Sequence, residues 1–231
     1  MPGFYYYGYD LTYLMLMIPV ILILIVAQIR VKSAYSKYSR IGNQSGMTGA
    51  AAAAAVLEQN GVYGVSIEMI AGQMTDHYDP KANSIRLSEQ VYGGASIAAV
   101  GIAAHEAGHA VQYAQSYVPI KLRAGILPLA RYGPMLTVPL MIAGFALDMM
   151  GLVWLAIALF GAAFLFQLVT LPVEFNASQR AMEAIDQGGL LNAAEAKGAR
   201  SVLTAAAMTY VAAMLQSLVQ LVWFFLRARR R

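Results

Sequence analysis

Hydrophobic residues along this chain are grouped into long runs that few charged residues interrupt. The clearest run extends from Leu11 to Ile29, and others extend from Ile126 to Met150, from Gly151 to Leu171 and roughly from Ser201 to Leu226. A helix of about 20 apolar residues crosses the hydrocarbon core of a bilayer. The pattern therefore predicts a mainly α membrane protein with three to four transmembrane helices. The second and third are expected to form an antiparallel pair joined at the sequence DMMG.

The more polar segments between these runs predict a small folded region. In the first of them, TGAAAAAAVLEQNG is typical of a helix with Thr48 as its cap and Gly61 as its stop. GVSIEMI and IRLSE have the composition of strands, and the turn-rich DHYDPKANS lies between them, so we expect a small sheet or hairpin around residues 64–89. GGASIAAVGIAAHEAGHAVQYAQSY follows as one long helix, and a more polar helix begins at Pro172.

The composition and charge agree with a membrane location. Of the 231 residues, 59% are hydrophobic and only 12% are charged, whereas a soluble domain is about one quarter charged. Most basic residues behind the net charge of +4 lie beside the hydrophobic runs. There they set topology against anionic lipid, so we expect the lipid bilayer, and no nucleic acid, as a partner. The absence of cysteine excludes disulfides and cysteine-ligated metals.

Basic residues also predict the orientation of the first helix. The preceding segment, MPGFYYYGYD, contains no lysine or arginine, whereas Arg30, Lys32, Lys37 and Arg40 follow the helix closely. This distribution predicts an anchor rather than a signal peptide, with the N-terminus outside and the segment after the anchor inside. A fourth full crossing would leave the C-terminal RARRR outside, against the same rule.

Four tyrosines in the segment before the first helix are a separate signal. They are interpreted as an interfacial aromatic belt, and the alternative is a disordered aromatic tail. These residues are Tyr5, Tyr6, Tyr7 and Tyr9.

The predicted long helix carries the sequence HEAGH. His105 and His109 are four residues apart, so they project from one helix face and can present imidazole nitrogens to one zinc ion at about 2.0–2.1 Å. Glu106 is rotated by about 100 degrees from His105, which places it beside the open position of the metal. There it can act as general base toward a zinc-activated water. The alternative is an apolar helix whose two histidines are satisfied by hydrogen bonds.

A catalytic zinc ion usually has three protein ligands and a water molecule, and no histidine follows His109. Two carboxylates are therefore candidates for the third ligand. Glu174, in LPVEFNAS, lies on the same predicted side of the membrane as the motif, although the helix dipole also favours a carboxylate at a helix start. Asp148, in ALDMMG, lies at the opposite end of the predicted helix pair, about 30 Å away if both helices cross the bilayer.

The combination of HEAGHAVQ with DHYDP and IRLSE before it and LPVEFNAS after it resembles the YugP-type neutral zinc metallopeptidases. These are bacterial membrane proteins distantly similar to the Ste24 and HtpX peptidases, and the resemblance covers nearly the whole chain. It implies a small α+β zincin-like catalytic domain, in which short strands accompany the HExxH helix, and a gluzincin-like site with one Zn²⁺ per chain. In that site His105 and His109 match the helix ligands, Glu106 the catalytic glutamate and Glu174 the third ligand.

Two positions depart from the pattern of those peptidases. The aspartate that Ste24-like chains carry four residues after the ligand glutamate is Ser178 here, and the aspartate expected in YugP-like chains is Asn176. Both residues are candidates for contacts that orient the zinc histidines. His77 and Tyr78, in the predicted turn, are candidates for stabilising the oxyanion, or are plain turn residues. NSIRLSE is either an edge strand that holds an extended substrate or a plain structural strand.

The leading hypothesis is a membrane-bound zinc endopeptidase of the bacterial cell membrane, with several membrane crossings, a site facing the cytoplasm and a protein or peptide as substrate. The alternatives are intramembrane cleavage of the site-2 type and a non-catalytic zinc-binding scaffold. No oligomeric state or partner protein follows from the sequence. The predicted parts are an N-terminal transmembrane anchor (1–29), a first catalytic segment with the HExxH helix (30–125), a transmembrane helix pair (126–171), a second catalytic segment with the third-ligand helix (172–200) and a C-terminal hydrophobic helix with a basic tail (201–231).

Overall fold

A computed structural model describes residues 11–229 of the chain. The tyrosines of the predicted aromatic belt, and the last two arginines, lie outside the described residues. The elements in chain order are α1 (Leu11–Tyr38), α2 (Gly49–Gln59), β1 (Ser66–Ile70), β2 (His77–Asp79), β3 (Ser84–Ser88), α3 (Glu89–Tyr92), α4 (Ile97–Ala114), α5 (Val118–Ala146), α6 (Met150–Gln187) and α7 (Ala193–Arg229).

Within residues 11–229, four helices, α1, α5, α6 and α7, are long and apolar enough to cross a membrane. They leave large apolar side chains exposed, such as Leu22, Met135 and Leu155. In water such exposure would be unfavourable, whereas lipid chains accept it. The remaining elements include a three-stranded sheet. The prediction of a mainly α membrane protein with a small α+β region is therefore confirmed.

Several helix boundaries differ from the prediction. The sequence predicts that a second helix begins at Pro172. In the structure, helix α6 instead continues through Pro172 and ends at Gln187. A proline removes one backbone donor, which neighbouring groups in a membrane protein can compensate. Helix α7 begins at Ala193 and is longer than predicted. The motif helix α4 is shorter than predicted, because the side chain of Ser96 caps it by accepting the N–H of Ala99.

The small sheet that was one of the two predicted alternatives for residues 64–89 is present, and its topology is not that of a simple hairpin. Strands β1 and β3 pair in parallel, and β2 pairs with the other side of β3 in antiparallel orientation, so the strand order is β1-β3-β2. The segment predicted as a turn therefore contains a strand, and His77 and Tyr78 belong to it. The side chains of Ile85 and Leu87 are fully buried, as a strand paired on both sides allows. The interpretation of NSIRLSE as an edge strand is wrong, because β3 is central.

By internal packing, the described residues form two compact units. One contains residues 11–27, Gly125–Leu168 and 209–229, and the other contains Gln28–Ala124 and Val169–Met208. In the first unit, the hydroxyl of Tyr13 donates to Oε1 of Gln220 at 3.0 Å. This hydrogen bond explains a polar residue in the last apolar run, because polar side chains in membrane helices usually bond to a neighbouring helix.

In the second unit, the core forms where α2 packs on α4. The alanine run supplies small side chains to this contact, and Ala52, Ala53 and Val56 are fully buried. The predicted cap and stop of α2 are confirmed: Thr48 accepts the N–H of Ala51, and Gly61 adopts a φ of 65°. On the other helix of this contact, α4, three alanines are also fully buried: Ala103, Ala104 and Ala107. Helix α4 is thus held firmly by its apolar face.

A glycine in the motif allows α4 to approach α6 closely. A Cβ atom on Gly108 would lie 2.7 Å from the carbonyl oxygen of Ala177. Because that oxygen belongs to helix backbone, it cannot rotate away as a side chain can. The glycine costs about 1 kcal/mol of helix propensity relative to alanine. In return, the two helices that carry the candidate metal ligands lie in contact.

Candidate metal centre

Helix α4 places two imidazoles side by side. The ring centroids of His105 and His109 are 4.8 Å apart, with the rings nearly perpendicular. Their side chains are 15% and 12% exposed, so they line an accessible site rather than the interior of the core. The four-residue spacing produces this arrangement, because residues at i and i+4 share one helix face.

Helix α6 brings the carboxylate of Glu174 to both imidazoles. Its Oε2 lies 3.3 Å from Nε2 of His105 and 3.7 Å from Nε2 of His109, and the side chain is only 3% exposed. Two ligand atoms of a tetrahedral zinc ion lie about 3.3 Å apart when the bonds are about 2.0–2.1 Å. Among the described residues, the group of side chains that can hold a metal ion consists of these three. Asp148 is not in that group and lies in the turn between α5 and α6.

The second nitrogen of His109 is held by Gln112, which is fully buried. The amide nitrogen of Gln112 donates to the carbonyl of Val173 and to Oδ1 of Asn176, at 2.8 and 2.9 Å. These two bonds fix the orientation of the amide, so its oxygen faces the ring of His109 at 3.0 Å. An amide oxygen only accepts, so Nδ1 of His109 donates. Nε2 of the neutral ring then carries a lone pair toward Glu174.

That orientation places two acceptors opposite each other, the Nε2 lone pair and the Glu174 carboxylate. Such a pair is unfavourable unless a proton or a metal cation lies between them. Burial by itself would lower the pKa of His109, but the nearby Glu174 carboxylate and the charge of Glu106 raise it above its ordinary value. The surroundings therefore favour positive charge at the point where a metal ion would bind, and the residues present fit zinc.

Ser178 and Asn176 take up the two positions that depart from the family pattern. The Oγ of Ser178 lies 3.2 Å from Nδ1 of His105. Asn176 reaches His109 through Gln112, and its Oδ1 also accepts Nε of Arg180 at 2.8 Å. Each imidazole is thus oriented from its Nδ1 side by an uncharged side chain rather than by a carboxylate.

Glu106, which follows His105 on α4, bonds to the sheet. Its Oε2 accepts the backbone N–H of Tyr78, in the edge strand β2, at 3.0 Å. The contact leaves the second carboxylate oxygen, Oε1, for other partners. The backbone N–H of Tyr78 thus fixes the orientation of a carboxylate on the helix that carries both imidazoles.

The side chains of His77 and Tyr78 bond to residues other than His105, His109 and Glu174. The exposed His77 ring lies with Nδ1 2.8 Å from the carbonyl oxygen of Thr75. The hydroxyl of Tyr78 donates to Oδ1 of Asn83 at 2.8 Å, and its ring packs on Tyr113. The hydrogen bond of Tyr78 to Glu106 is made by its backbone N–H.

Two residues of the site were missed by the sequence reasoning. Gln112 is three residues after His109, a spacing that places both on one helix face, so the pattern HAVQ contained a signal. Arg123 of α5 lies with Nη1 3.4 Å from Oε1 of Glu174. A lone arginine at the start of an apolar run gave no sign of this contact.

Comparison with known proteins agrees with this geometry. The chain matches the profile of a protein family described as "Putative neutral zinc metallopeptidase" over residues 13–229. It belongs to this family. A curated relative, "Putative membrane protease YugP" of Bacillus subtilis (strain 168), is 47% identical over 198 residues, which cover 86% of this chain and 88% of the relative. No solved structure matches the chain with significance. The resemblance found in the sequence is therefore confirmed.

Ser178, one of the two positions that depart from the family pattern, provides a test of the site. Replacing Ser178 by alanine is expected to weaken zinc binding about 10-fold, because loss of a residue that orients a metal-binding histidine typically costs 10- to 100-fold in affinity. Ser178→Asp is expected to bind zinc at least as tightly as the wild type, since a carboxylate accepts Nδ1–H more strongly. Chelator competition on the purified protein measures both. Equal affinities for all three proteins would show that Ser178 does not orient His105.

Proposed function

We propose that this chain is a membrane-bound, zinc-dependent endopeptidase that hydrolyses peptide bonds with Glu106 as general base. The observation that carries the proposal is the convergence of His105, His109 and the buried Glu174 within 4.8 Å of one another, with Glu106 directly beside them on α4. Membership in a zinc metallopeptidase family supports the same reading. One zinc ion per chain is expected, because one such group is found among the described residues.

Zinc held by these three side chains supplies Lewis acidity, which polarises a carbonyl group and promotes the ionisation of water. Glu106 accepts the proton of the attacking water on its carboxylate and then delivers that proton to the leaving amine. The N–H of Tyr78 holds Oε2 of Glu106 in place during both transfers. Gln112 and Ser178 keep the imidazoles in the orientation that directs Nε2 toward the metal position.

We propose that β2, rather than β3, is the strand that holds the substrate. It lies at the edge of the sheet and contacts α4. An extended peptide can add to such an edge through backbone hydrogen bonds. The substrate class is therefore a protein or peptide in extended conformation. Because Glu106 is bonded to β2, a peptide on this edge lies next to the general base.

The distribution of basic residues supports an orientation in the bacterial cell membrane. The N-terminus is placed outside, and the residues that follow α1 are placed in the cytoplasm, because Arg30, Lys32, Lys37 and Arg40 follow the apolar run. Peptidase chemistry is assigned to the unit with Gln28–Ala124 and Val169–Met208, and membrane anchoring to the other unit. The predicted catalytic segments, 30–125 and 172–200, lie within the unit to which peptidase chemistry is assigned, except for residue 125.

Metal removal tests the proposal directly. Chelation is expected to lower cleavage of unfolded proteins by the detergent-solubilised chain at least about 100-fold, because Lewis acidity contributes several kcal/mol and about 1.4 kcal/mol corresponds to a factor of ten. Stoichiometric zinc is expected to restore cleavage. Full proteolysis by the metal-free chain would contradict the proposal.

A further inference from the structure

The two oxygens of the Glu174 carboxylate have different surroundings. Oε2 faces the Nε2 atoms of both histidines, at 3.3 and 3.7 Å. Oε1 faces Nη1 of Arg123 at 3.4 Å. The carboxylate is nearly fully buried, whereas the side chain of Arg123 is 30% exposed. One oxygen thus points to the metal position and the other to a permanent cation.

We propose that Arg123 is a positioning residue of the metal centre, which holds Oε1 of Glu174 so that Oε2 alone is presented to zinc. This inference rests on the proposed role of Glu174 as a metal ligand. A guanidinium remains charged under all ordinary conditions, so it offers Oε1 a constant positive partner. A carboxylate without that partner can turn about its terminal bond or offer both oxygens to the metal, and both changes disturb the coordination by the imidazoles.

The chain path explains how Arg123 reaches this place. Helix α5 begins at Val118, only four residues after α4 ends, and the short connection is anchored to α4 by the bond from the N–H of Tyr117 to the carbonyl of Gln112. Ile120 is buried and fixes the first turn of α5. Arg123 lies one turn further on. The backbone carbonyl of Gln112 therefore helps to position Arg123, and the side chain of the same residue orients His109.

Burial separates this contact from an ordinary surface ion pair. The pair of Arg200 with Asp186 joins side chains that are more than half exposed, and such pairs contribute little. Glu174 is 3% exposed, so removal of Arg123 leaves a buried carboxylate with one oxygen less well compensated. The effect is expected on the metal centre, because the same carboxylate faces the two imidazoles.

The test uses the full chain in detergent with three substitutions. Arg123→Met removes the charge and the donors, Arg123→Lys keeps the charge, and Lys121→Met removes an exposed cation from the same helix as a matched control. Chelator competition is expected to show zinc binding about 10- to 100-fold weaker in Arg123→Met. Arg123→Lys is expected to recover most of the affinity, and Lys121→Met to bind as the wild type.

The visible spectrum of bound cobalt(II) gives a second readout, which would stay unchanged if Arg123 only stabilised the fold. Replacing zinc by cobalt in Arg123→Met is expected to weaken the visible absorption bands, because a second oxygen of Glu174 raises the coordination number. In Arg123→Lys the bands should stay as in the wild type. If Arg123→Met does not fold, Arg123→Gln takes its place with the same expected direction. A folded neutral variant with wild-type zinc affinity and an unchanged cobalt spectrum would overturn the proposal.

A double substitution shows whether Arg123 acts through Glu174. In a Glu174→Ala background, Arg123→Met is expected to cause no further loss of residual metal binding, because Arg123 acts on the metal only through the Glu174 carboxylate. The same fold loss in both backgrounds would contradict the proposal. These readouts measure metal binding and not proteolysis. The inference can therefore fail while the peptidase function holds, and an inactive chain would leave it intact.

Discussion

Replacing Glu106 by glutamine is expected to lower peptide-bond cleavage by about 10²- to 10⁴-fold while zinc stays bound, as expected for the loss of a general base. The amide of glutamine cannot take a proton from water at neutral pH. Its carbonyl oxygen can still accept the N–H of Tyr78, which now bonds to Oε2 of Glu106 at 3.0 Å. The local fold should therefore remain. Zinc should remain because Glu106 is not one of the three converging side chains.

The measurement compares proteolysis and zinc content in the wild type, Glu106→Gln and a matched control. Glu58→Gln is suitable as the control, because Glu58 is an exposed carboxylate on α2, so its replacement should leave both readouts unchanged. Full activity of Glu106→Gln would exclude Glu106 as the general base. Absence of cleavage by the zinc-loaded wild type, over a broad panel of unfolded proteins, would instead favour the non-catalytic scaffold.

Local periodicity explains why part of the site could be predicted. The spacing of His105 and His109 determines their common face on any α-helix, so no knowledge of tertiary structure was required. Glu174 is 65 residues beyond His109, and spacing alone left it open against Asp148. The resemblance to known peptidases favoured Glu174, and the structure places its carboxylate at both imidazoles.

The contacts that orient the site were harder to predict, because they join distant chain segments. Gln112 reaches Asn176 across 64 positions, and Arg123 reaches Glu174 across 51. Neither residue type is unusual where it stands. Where the family pattern has an aspartate beside the zinc histidines, uncharged side chains contact the imidazoles here: Ser178 contacts His105 and Gln112 contacts His109. A search for carboxylates in the sequence does not find such residues.

The same distinction holds for the fold. Long apolar runs predicted the membrane helices because hydrophobicity is a local property. The pairing of β1 with β3 in parallel depends on where the chain returns, and the three residues of β2 are too few for a recognisable alternation. Turn formers on both sides of β2 concealed it further. The sequence pattern therefore predicts only a turn at the position of the strand that bonds to Glu106.

Replacing Glu174 by alanine is expected to weaken zinc binding by at least about 100-fold, which exceeds the 10- to 100-fold typical for residues that only orient a ligand. The substitution removes the carboxylate that faces both imidazoles at 3.3 and 3.7 Å. It also leaves Nη1 of Arg123 without this partner. Proteolysis should be lost together with the metal. Zinc content after dialysis, and chelator competition, measure the change.

Asp148→Ala is the matched variant, because Asp148 is the carboxylate that the site-2 type of intramembrane protease would use. It lies in the turn that joins α5 to α6 and adopts a φ of 55°. Since it is outside the converging group, its replacement should leave zinc binding at the wild-type level. Loss of metal in Asp148→Ala but not in Glu174→Ala would reject the proposed site and favour intramembrane cleavage. Loss of zinc in Glu174→Ala alone supports a gluzincin-like centre. Both variants remove a carboxylate, but only that of Glu174 belongs to the converging group.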